Sequence, residues 1–422
     1  MKFNKISVIG LGYIGLPTAA IFASHEIEVV GVDVNKNVVD TINQGDIHIT
    51  EPDLDLLVDR VVKEGFLRAA TIPEASDAFL IAVPTPFVGD NKKPDLSFIE
   101  SACNSIASVL KAGNIVILES TSPVGATEKV AAWLAKARPD LTFPQTHARD
   151  SDVRVAHCPE RVLPGQVLRE LVSNDRVIGG MTSKCGELAE ELYKVFVKGA
   201  FVRTNCRTAE MSKLAENSFR DVNIAFANEL SIICDELNIN VWELILIANL
   251  HPRVSILQPG PGVGGHCIAV DPWFIVSGSP EHATLIRTAR EVNDFKPNWV
   301  LDKVTKAIGE YLQENPNKTA KEVVIACYGL TFKPDIDDLR ESPALKIAEM
   351  VAAMHSGIVH LIEPNISELP INNFLESAVL NDNLGASSAD IHVLLVDHSE
   401  FRRTKFVFNS NAKLVDTRGI WG

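Results

Sequence analysis

Residues 5–33 constrain the fold more than any other stretch. Lys5–Ile9 is a short apolar run of the kind that forms a buried strand, and Gly10-Leu-Gly12-Tyr13-Ile14-Gly15 follows it at once. A helical pattern runs from Tyr13 to Ser24, and a second apolar run, Glu28–Val32, ends in Asp33. Strand, G-x-G-x-x-G, helix, strand and acid in that order form the βαβ unit that binds a dinucleotide. Gly10 makes the turn, Gly12 lets a pyrophosphate reach the helix N-terminus, and Gly15 lets helix and strand pack closely. Tyr13 and Ile14 lie on the same turn and are expected to line the cofactor. Asp33 is placed to accept hydrogen bonds from the adenosine ribose. No arginine follows immediately to hold a 2′-phosphate, so NAD is expected rather than NADP.

More βα units follow. Asp77–Val83 reads as a strand running into Pro84-Thr85-Pro86, and Asn114–Leu118 as one running into Glu119-Ser120-Thr121-Ser122-Pro123. Polar turns just past strand C-termini lie where open α/β sheets bind ligands, so Thr85, Ser120 and Thr121 are candidates for the nicotinamide side. Each could equally be a helix cap. A helix is expected from near Gly125, a loop over 138–151, a strand over Val153–His157, a helix over Glu187–Val197 and a strand over Ala200–Thr204. Glu160, in Cys158-Pro159-Glu160, places a carboxylate at another strand end.

Pro259–Pro272 (PGPGVGGHCIAVDP) is too rich in glycine and proline for an ordinary helix or strand. Cys267 sits in that bend with Asp271 four residues on. Backbone amides around a bend favour a thiolate and an oxyanion, which suits a nucleophilic cysteine; a tight turn with a buried thiol is the plain alternative. Upstream, Thr208–Leu237 reads as one long helix, with Lys213 and Asn217 at i, i+4 on one face. They could hold a developing oxyanion, or form a solvated face. Further helices are expected over Val241–Asn249 and from about His282, and long helices of this kind suggest a dimer surface.

After a polar linker over 313–321, Val323–Tyr328, Val359–Ile362, Ile391–Val396 and Lys413–Val415 read as strands, with a helix from Ser342-Pro343 to about Met354. Lys333, Arg340 and Arg418 follow strand ends and could meet a phosphate or carboxylate. The fold class expected is α/β, two doubly wound Rossmann-like domains joined by a central long-helix region. The divisions expected are 1–204 for the NAD domain, 205–312 for the helices and cysteine loop, and 313–422 for a second nucleotide domain.

The totals set limits. A formal net charge of −14 over 422 residues argues against a general nucleic-acid or anionic-membrane binder. The seven cysteines are scattered, without metal-ligand spacing, so no metal is expected and reduced thiols of a cytoplasmic protein are.

The chain resembles the UDP-glucose/GDP-mannose dehydrogenase family over nearly its whole length. The carriers are residues 8–15, Glu119–Gly125, Cys158-Pro-Glu160, Ala209–Asn217, Gly262–Cys267 with Asp271, and Phe332–Pro343. The resemblance implies a four-electron, NAD-dependent oxidation of a nucleotide-sugar C6 hydroxyl to the carboxylate. It implies Cys267 as nucleophile, Lys213 and Asn217 on the alkoxide and oxyanion, Asp271 and Thr121 on water, and Glu160 as an acid in thioester hydrolysis. Arg161, Val162, Gly264 and His266 would lie near the sugar, and Lys333, Arg340 and Arg418 near the nucleotide. Arg253 would reach the substrate of a neighbouring subunit in a homodimer. Arg161, Val162 and Pro164 after the acid, and Val270 before Asp271, depart from many relatives and argue against glucose. Over residues 10–17, 158–165 and 251–254 the chain looks most like family members that act on UDP-N-acetyl-D-mannosamine, and that resemblance implies oxidation of this sugar nucleotide for a bacterial surface polysaccharide such as enterobacterial common antigen. Two rivals differ by mechanism: a β-hydroxyacid dehydrogenase has no use for Cys267, and a sensor of NAD and nucleotide sugar would not turn over.

Overall fold

The computed structural model describes residues 3–89, 92–163, 165–265, 267–369, 378–381 and 388–421. The chain divides into two compact units, one of Met1–Glu216 with Trp273–Pro280 and the other of Asn217–Pro272 with Glu281–Gly422.

The first unit is built on an eight-stranded sheet. Its strands are β1 (Lys5–Ile9), β2 (Glu28–Val32), β3 (Leu67–Ala70), β4 (Ala78–Ile81), β5 (Ile115–Leu118), β6 (Arg154–His157), β7 (Arg176–Gly180) and β8 (Phe201–Asn205). They lie in the order β8-β7-β6-β5-β4-β1-β2-β3. All neighbours are parallel except β6 and β7. The run 3-2-1-4-5-6 within it is the doubly wound order, whose switch point lies between β1 and β4. Successive side chains feed opposite layers: Val29, Leu80 and Ile117 enter one core and Val30, Phe79 and Val116 the other. Burial on both faces is why these strands are continuous apolar runs.

The second unit carries β9 (Ile325–Tyr328), β10 (Val359–Ile362), β11 (Ala378–Asn381), β12 (Ile391–Leu394) and β13 (Lys413–Asp416). They form a wholly parallel sheet in the order β11-β10-β9-β12-β13, again switching direction at the first strand. Ser342 caps the helix Pro343–Met354 as expected, its hydroxyl accepting from the Leu345 N–H at 3.2 Å.

Helix Cys206–Glu236 begins in the first unit and ends in the second. At 31 residues it is about 46 Å long. A second helix of that length, Thr284–Glu314, carries Pro297 within it. It runs into the stretch read as linker, which also holds a short 3₁₀ turn, Ala320–Glu322, with a Thr319–Glu322 capping box. The stretch 138–151, read as loop, contains the short helix Pro144–His147, started by a proline at its first turn, and the 3₁₀ turn Ala148–Asp150. Asp271 and Pro272 are likewise not loop but open the helix Asp271–Gly278. Among the described residues no helix is long and apolar enough to cross a membrane.

Candidate active site

The dinucleotide turn has the shape its residues require. Gly10 takes φ 91° as the chain leaves β1. A side chain at Gly12 would meet nothing within 4 Å, whereas one at Gly15 would place its Cβ 1.8 Å from the Gly10 carbonyl oxygen. The turn is therefore open where a pyrophosphate would lie and closed where the helix leans on the strand. Ile14 precedes helix Gly15–Ala23, and no side chain caps that N-terminus, which leaves its first amides for an anion. Tyr13 is half-buried against the core beside it. The Asp33 carboxylate is fixed by two backbone donors, Leu11 N–H at 3.0 Å and Asn35 N–H at 2.9 Å, and both oxygens keep a lone pair for a ribose. Gly15→Ala is expected to weaken NAD binding about tenfold or more, because helix and strand must part. A fluorescence titration checks this; unchanged affinity would mean that the turn does not hold the cofactor.

Near the switch point the polar residues divide. The Thr85 hydroxyl oxygen is buried without a hydrogen-bond partner among the described residues, as is that of Ser122, and such groups fit a bound amide or ribose. The Ser120 hydroxyl is already committed, donating to the Val83 carbonyl at 2.7 Å, so it ties β5 to the end of β4. Thr121 is half-buried.

Glu160 is buried just past β6, and burial raises its pKa above the usual carboxylate range. It is ion-paired to Arg176, which opens β7, while the nearby Lys213 ammonium favours its charged form. Arg161 turns away to pair with Glu216 at 3.2 Å, and Val162 packs against the core. Arg176 escaped the sequence reading. Its only signal is a charged residue at the start of an apolar run, and its partners Glu119 and Glu160 come from distant segments.

In the second unit the cysteine loop is held from several sides. The Asn228 side-chain oxygen accepts from the Gly260 N–H at 2.9 Å, and the Arg340 carbonyl accepts from the Gly265 N–H at 3.2 Å. A Cβ on Gly264 would lie 2.5 Å from the Glu341 carbonyl oxygen and 2.8 Å from the Phe332 side chain. Close packing against the segment after β9 is thus one reason for glycine in this loop. Cys267 is exposed, unlike the other six cysteines. Its carbonyl accepts from Val270 N–H at 3.1 Å and Asp271 N–H at 2.9 Å, so the thiol sits on the turn leading into helix Asp271–Gly278. Asp271 and Asn217 are buried, and the Asn217 amide donates to the Asp271 carboxylate. Asn217 stands one turn beyond Lys213 on helix Cys206–Glu236.

Arg418 follows β13, donates to Asp397 and lies beside Gly260 of the loop. Lys333 follows β9 and is half-buried, and the Arg340 guanidinium is clamped on Asp338 at 2.8 Å. Arg253 is exposed. His266 lies outside the described residues.

Three family models match the chain: the NAD binding domain of the UDP-glucose/GDP-mannose dehydrogenase family over residues 4–197, its central domain over 207–295, and its UDP binding domain over 326–422. The UDP-N-acetyl-D-mannosamine dehydrogenase of Yersinia pestis is 62% identical, with 100% of both chains covered. The NDP-N-acetyl-D-galactosaminuronic acid dehydrogenase of Ralstonia nicotianae is 61% identical, covering 100% of this chain and 97% of the relative. Among solved structures, the UDP-D-ManNAc dehydrogenase from Pyrococcus horikoshii superposes with a TM-score of 0.85 at 40% identity, covering 99% of this chain and 96% of that one.

Proposed function

The chain belongs to the UDP-glucose/GDP-mannose dehydrogenase family and is an NAD-dependent dehydrogenase, and on that premise we propose that it oxidises the C6 hydroxyl of UDP-N-acetyl-D-mannosamine to the carboxylate. The observation that carries the reading is the 62% identity, end to end, to a relative named for that substrate. The proposed division of labour follows the stretches 1–204, 205–312 and 313–422, for NAD, catalysis and the nucleotide.

A primary alcohol loses four electrons on its way to a carboxylate, so two NAD⁺ and one water are consumed and two NADH and three protons released. NAD, when bound through the Gly10–Gly15 turn and Asp33, supplies the hydride acceptor. Asp271 takes the hydroxyl proton through water as the first hydride leaves C6, and the Lys213 ammonium steadies the alkoxide. The Cys267 sulfur then bonds to the aldehyde carbon, and Lys213 and Asn217 stabilise the resulting oxyanion. Loss of the second hydride from this thiohemiacetal gives a thioester. In its hydrolysis water bonds to C6, Glu160 takes the water proton, the C–S bond breaks and the cysteine is reprotonated. Thr121 and Asp271 position the water. Burial of Glu160 suits this role, because it brings a carboxylate toward the working pH. Lys333, Arg340 and Arg418 are assigned to the nucleotide and Arg161, Val162, Gly264 and His266 to the sugar.

We assign the chain to a homodimer, with Arg253 reaching the neighbouring site. Phe219, Phe226 and Ile233 support this: they are exposed at seven-residue spacing on one helix and form an unpartnered apolar stripe. Supply of an aminouronic acid for a surface polysaccharide, such as enterobacterial common antigen, is the role proposed, in the cytoplasm.

The test is NADH formed per sugar nucleotide consumed. UDP-N-acetyl-D-mannosamine should give two, with little from UDP-glucose or UDP-N-acetylglucosamine. The Ralstonia relative makes UDP-N-acetylgalactosamine the second candidate, and preference for it would replace the sugar while keeping the mechanism. One NADH per substrate would overturn the cysteine route.

A further inference from the structure

Two buried carboxylates share one guanidinium at the carboxyl end of the first sheet. Glu119 follows β5, Glu160 follows β6 and Arg176 opens β7. Arg176 Nη2 donates to Glu119 Oε1 at 2.8 Å, and its Nη1 is paired with Glu160. The guanidinium carbon lies 3.8 Å from the centre of the Tyr193 ring, and the Tyr193 hydroxyl donates to the same Glu119 oxygen at 2.6 Å. Side-chain exposure is 4% for Arg176, 0% for Glu119 and 7% for Glu160. The other Glu119 oxygen is buried with no hydrogen-bond partner among the described residues.

The charges do not balance. Two carboxylates against one buried guanidinium leave one negative charge that the half-buried Lys213 offsets only from the Glu160 side, and a buried cluster relieves that by holding a proton. The remaining groups that face it are the Tyr193 phenol and the Cys158 thiol, both held neutral by burial, and the Lys213 ammonium beside Glu160. Glu160 has Lys213 and the Arg161 N–H to favour its charge. Among the described residues no second cation acts on Glu119, and burial pushes it up to about 7. The two carboxyls therefore compete for one proton, and an ionised Glu119 holds that proton on Glu160. Residues 161–169 supply no further acid after Glu160.

We propose that Arg176 is the positioning residue of Glu160 and that Glu119 is the second carboxyl of the site, the three acting as one proton-sharing unit that sets the ionisation of Glu160 during thioester hydrolysis. The proposal rests on the thioester reading given above.

The experiment is the pH profile of kcat and of thioester breakdown by rapid quench, for wild type, Glu119→Gln, Arg176→Met and Arg176→Lys. Glu119→Gln removes the competing negative charge, so the acid limb should move down by about 0.5 in pH or more. Arg176→Met removes the positive charge, so the limb should move up, with kcat falling about tenfold to a hundredfold and the KM for NAD unchanged. Arg176→Lys keeps the charge but not the fork and should recover part of that loss. Shifts of opposite sign are what a merely structural cluster would not give. A Glu119→Gln profile superimposed on wild type overturns the proposal, and that near-isosteric variant decides it even if Arg176→Met fails to fold. Cys267→Ala separates the two readings. If it still forms acid, the thioester route fails; if it does not and Glu119→Gln moves nothing, only this inference fails.

Discussion

Cys267→Ala is expected to lower carboxylate formation by about 10³-fold or more while leaving the fold intact. The two halves of that statement come from different observations. The thiol is exposed, so its removal opens no cavity. The turn that presents it is made by backbone bonds from Val270 and Asp271 to the Cys267 carbonyl, which alanine keeps. Asp271 and Asn217, paired to each other, also remain. What is lost, on the proposed mechanism, is the sulfur that holds the aldehyde covalently and turns a second hydride loss into a route to acid. Single-turnover assays should show at most one NADH per substrate, with an unchanged melting temperature. Cys103→Ala, at a fully buried thiol, should do the reverse: normal stoichiometry and lower stability. Full acid formation by Cys267→Ala would remove the thioester from the mechanism.

What the sequence made legible follows from how each part is stabilised. β1, β2 and β10 lie where they were expected, residue for residue, because central parallel strands buried on both faces are apolar runs whatever surrounds them. The dinucleotide turn was legible for a similar reason: its glycines answer to contacts within about fifteen residues. β7 was not legible. It begins with Arg176 and ends in Gly179-Gly180, which reads as a charged turn rather than a strand. In the fold a Cβ on Gly179 would lie 2.4 Å from that of Ala209, so glycine is demanded by a helix thirty residues away in sequence. Arg176 was missed along with its strand. The cysteine loop falls between these cases. Its composition marked it as irregular and as chemical, but its packing on Phe332 and Glu341 depends on a sheet that begins some sixty residues later. Asp271 looked like a loop acid, because the helix it opens takes a proline in its first turn and has little charge pattern of its own.

The largest stability effect is expected at Arg290, on helix Thr284–Glu314. Arg290 is 1% exposed and donates to Asp221, itself fully buried, at 2.6 Å, and also to Asp294. Asn293 donates to the same Asp221 oxygen at 2.8 Å and accepts from Asn228 at 2.9 Å, and Asn228 holds the Gly260 N–H. One polar chain thus runs from a buried ion pair to the start of the cysteine loop. Arg290→Ala would leave the Asp221 carboxylate in the interior without its cation, at a cost of about 3–5 kcal/mol. For a unit of this size that lowers the melting temperature on the order of 10 °C. The same change should slow turnover, because a loop tethered through Asn228 loses its reference, and small displacements of a nucleophile cost rate steeply. Arg290→Met combined with Asp221→Leu removes both charges and should recover most of the stability. Its residual loss of kcat would then report the tether alone, since Asn293 would have lost the Asp221 carboxylate and kept only the Asp221 carbonyl as acceptor. Melting within about 2 °C of wild type for Arg290→Ala would mean that the pair is not dry, and the coupling from ion pair to loop would have to be given up.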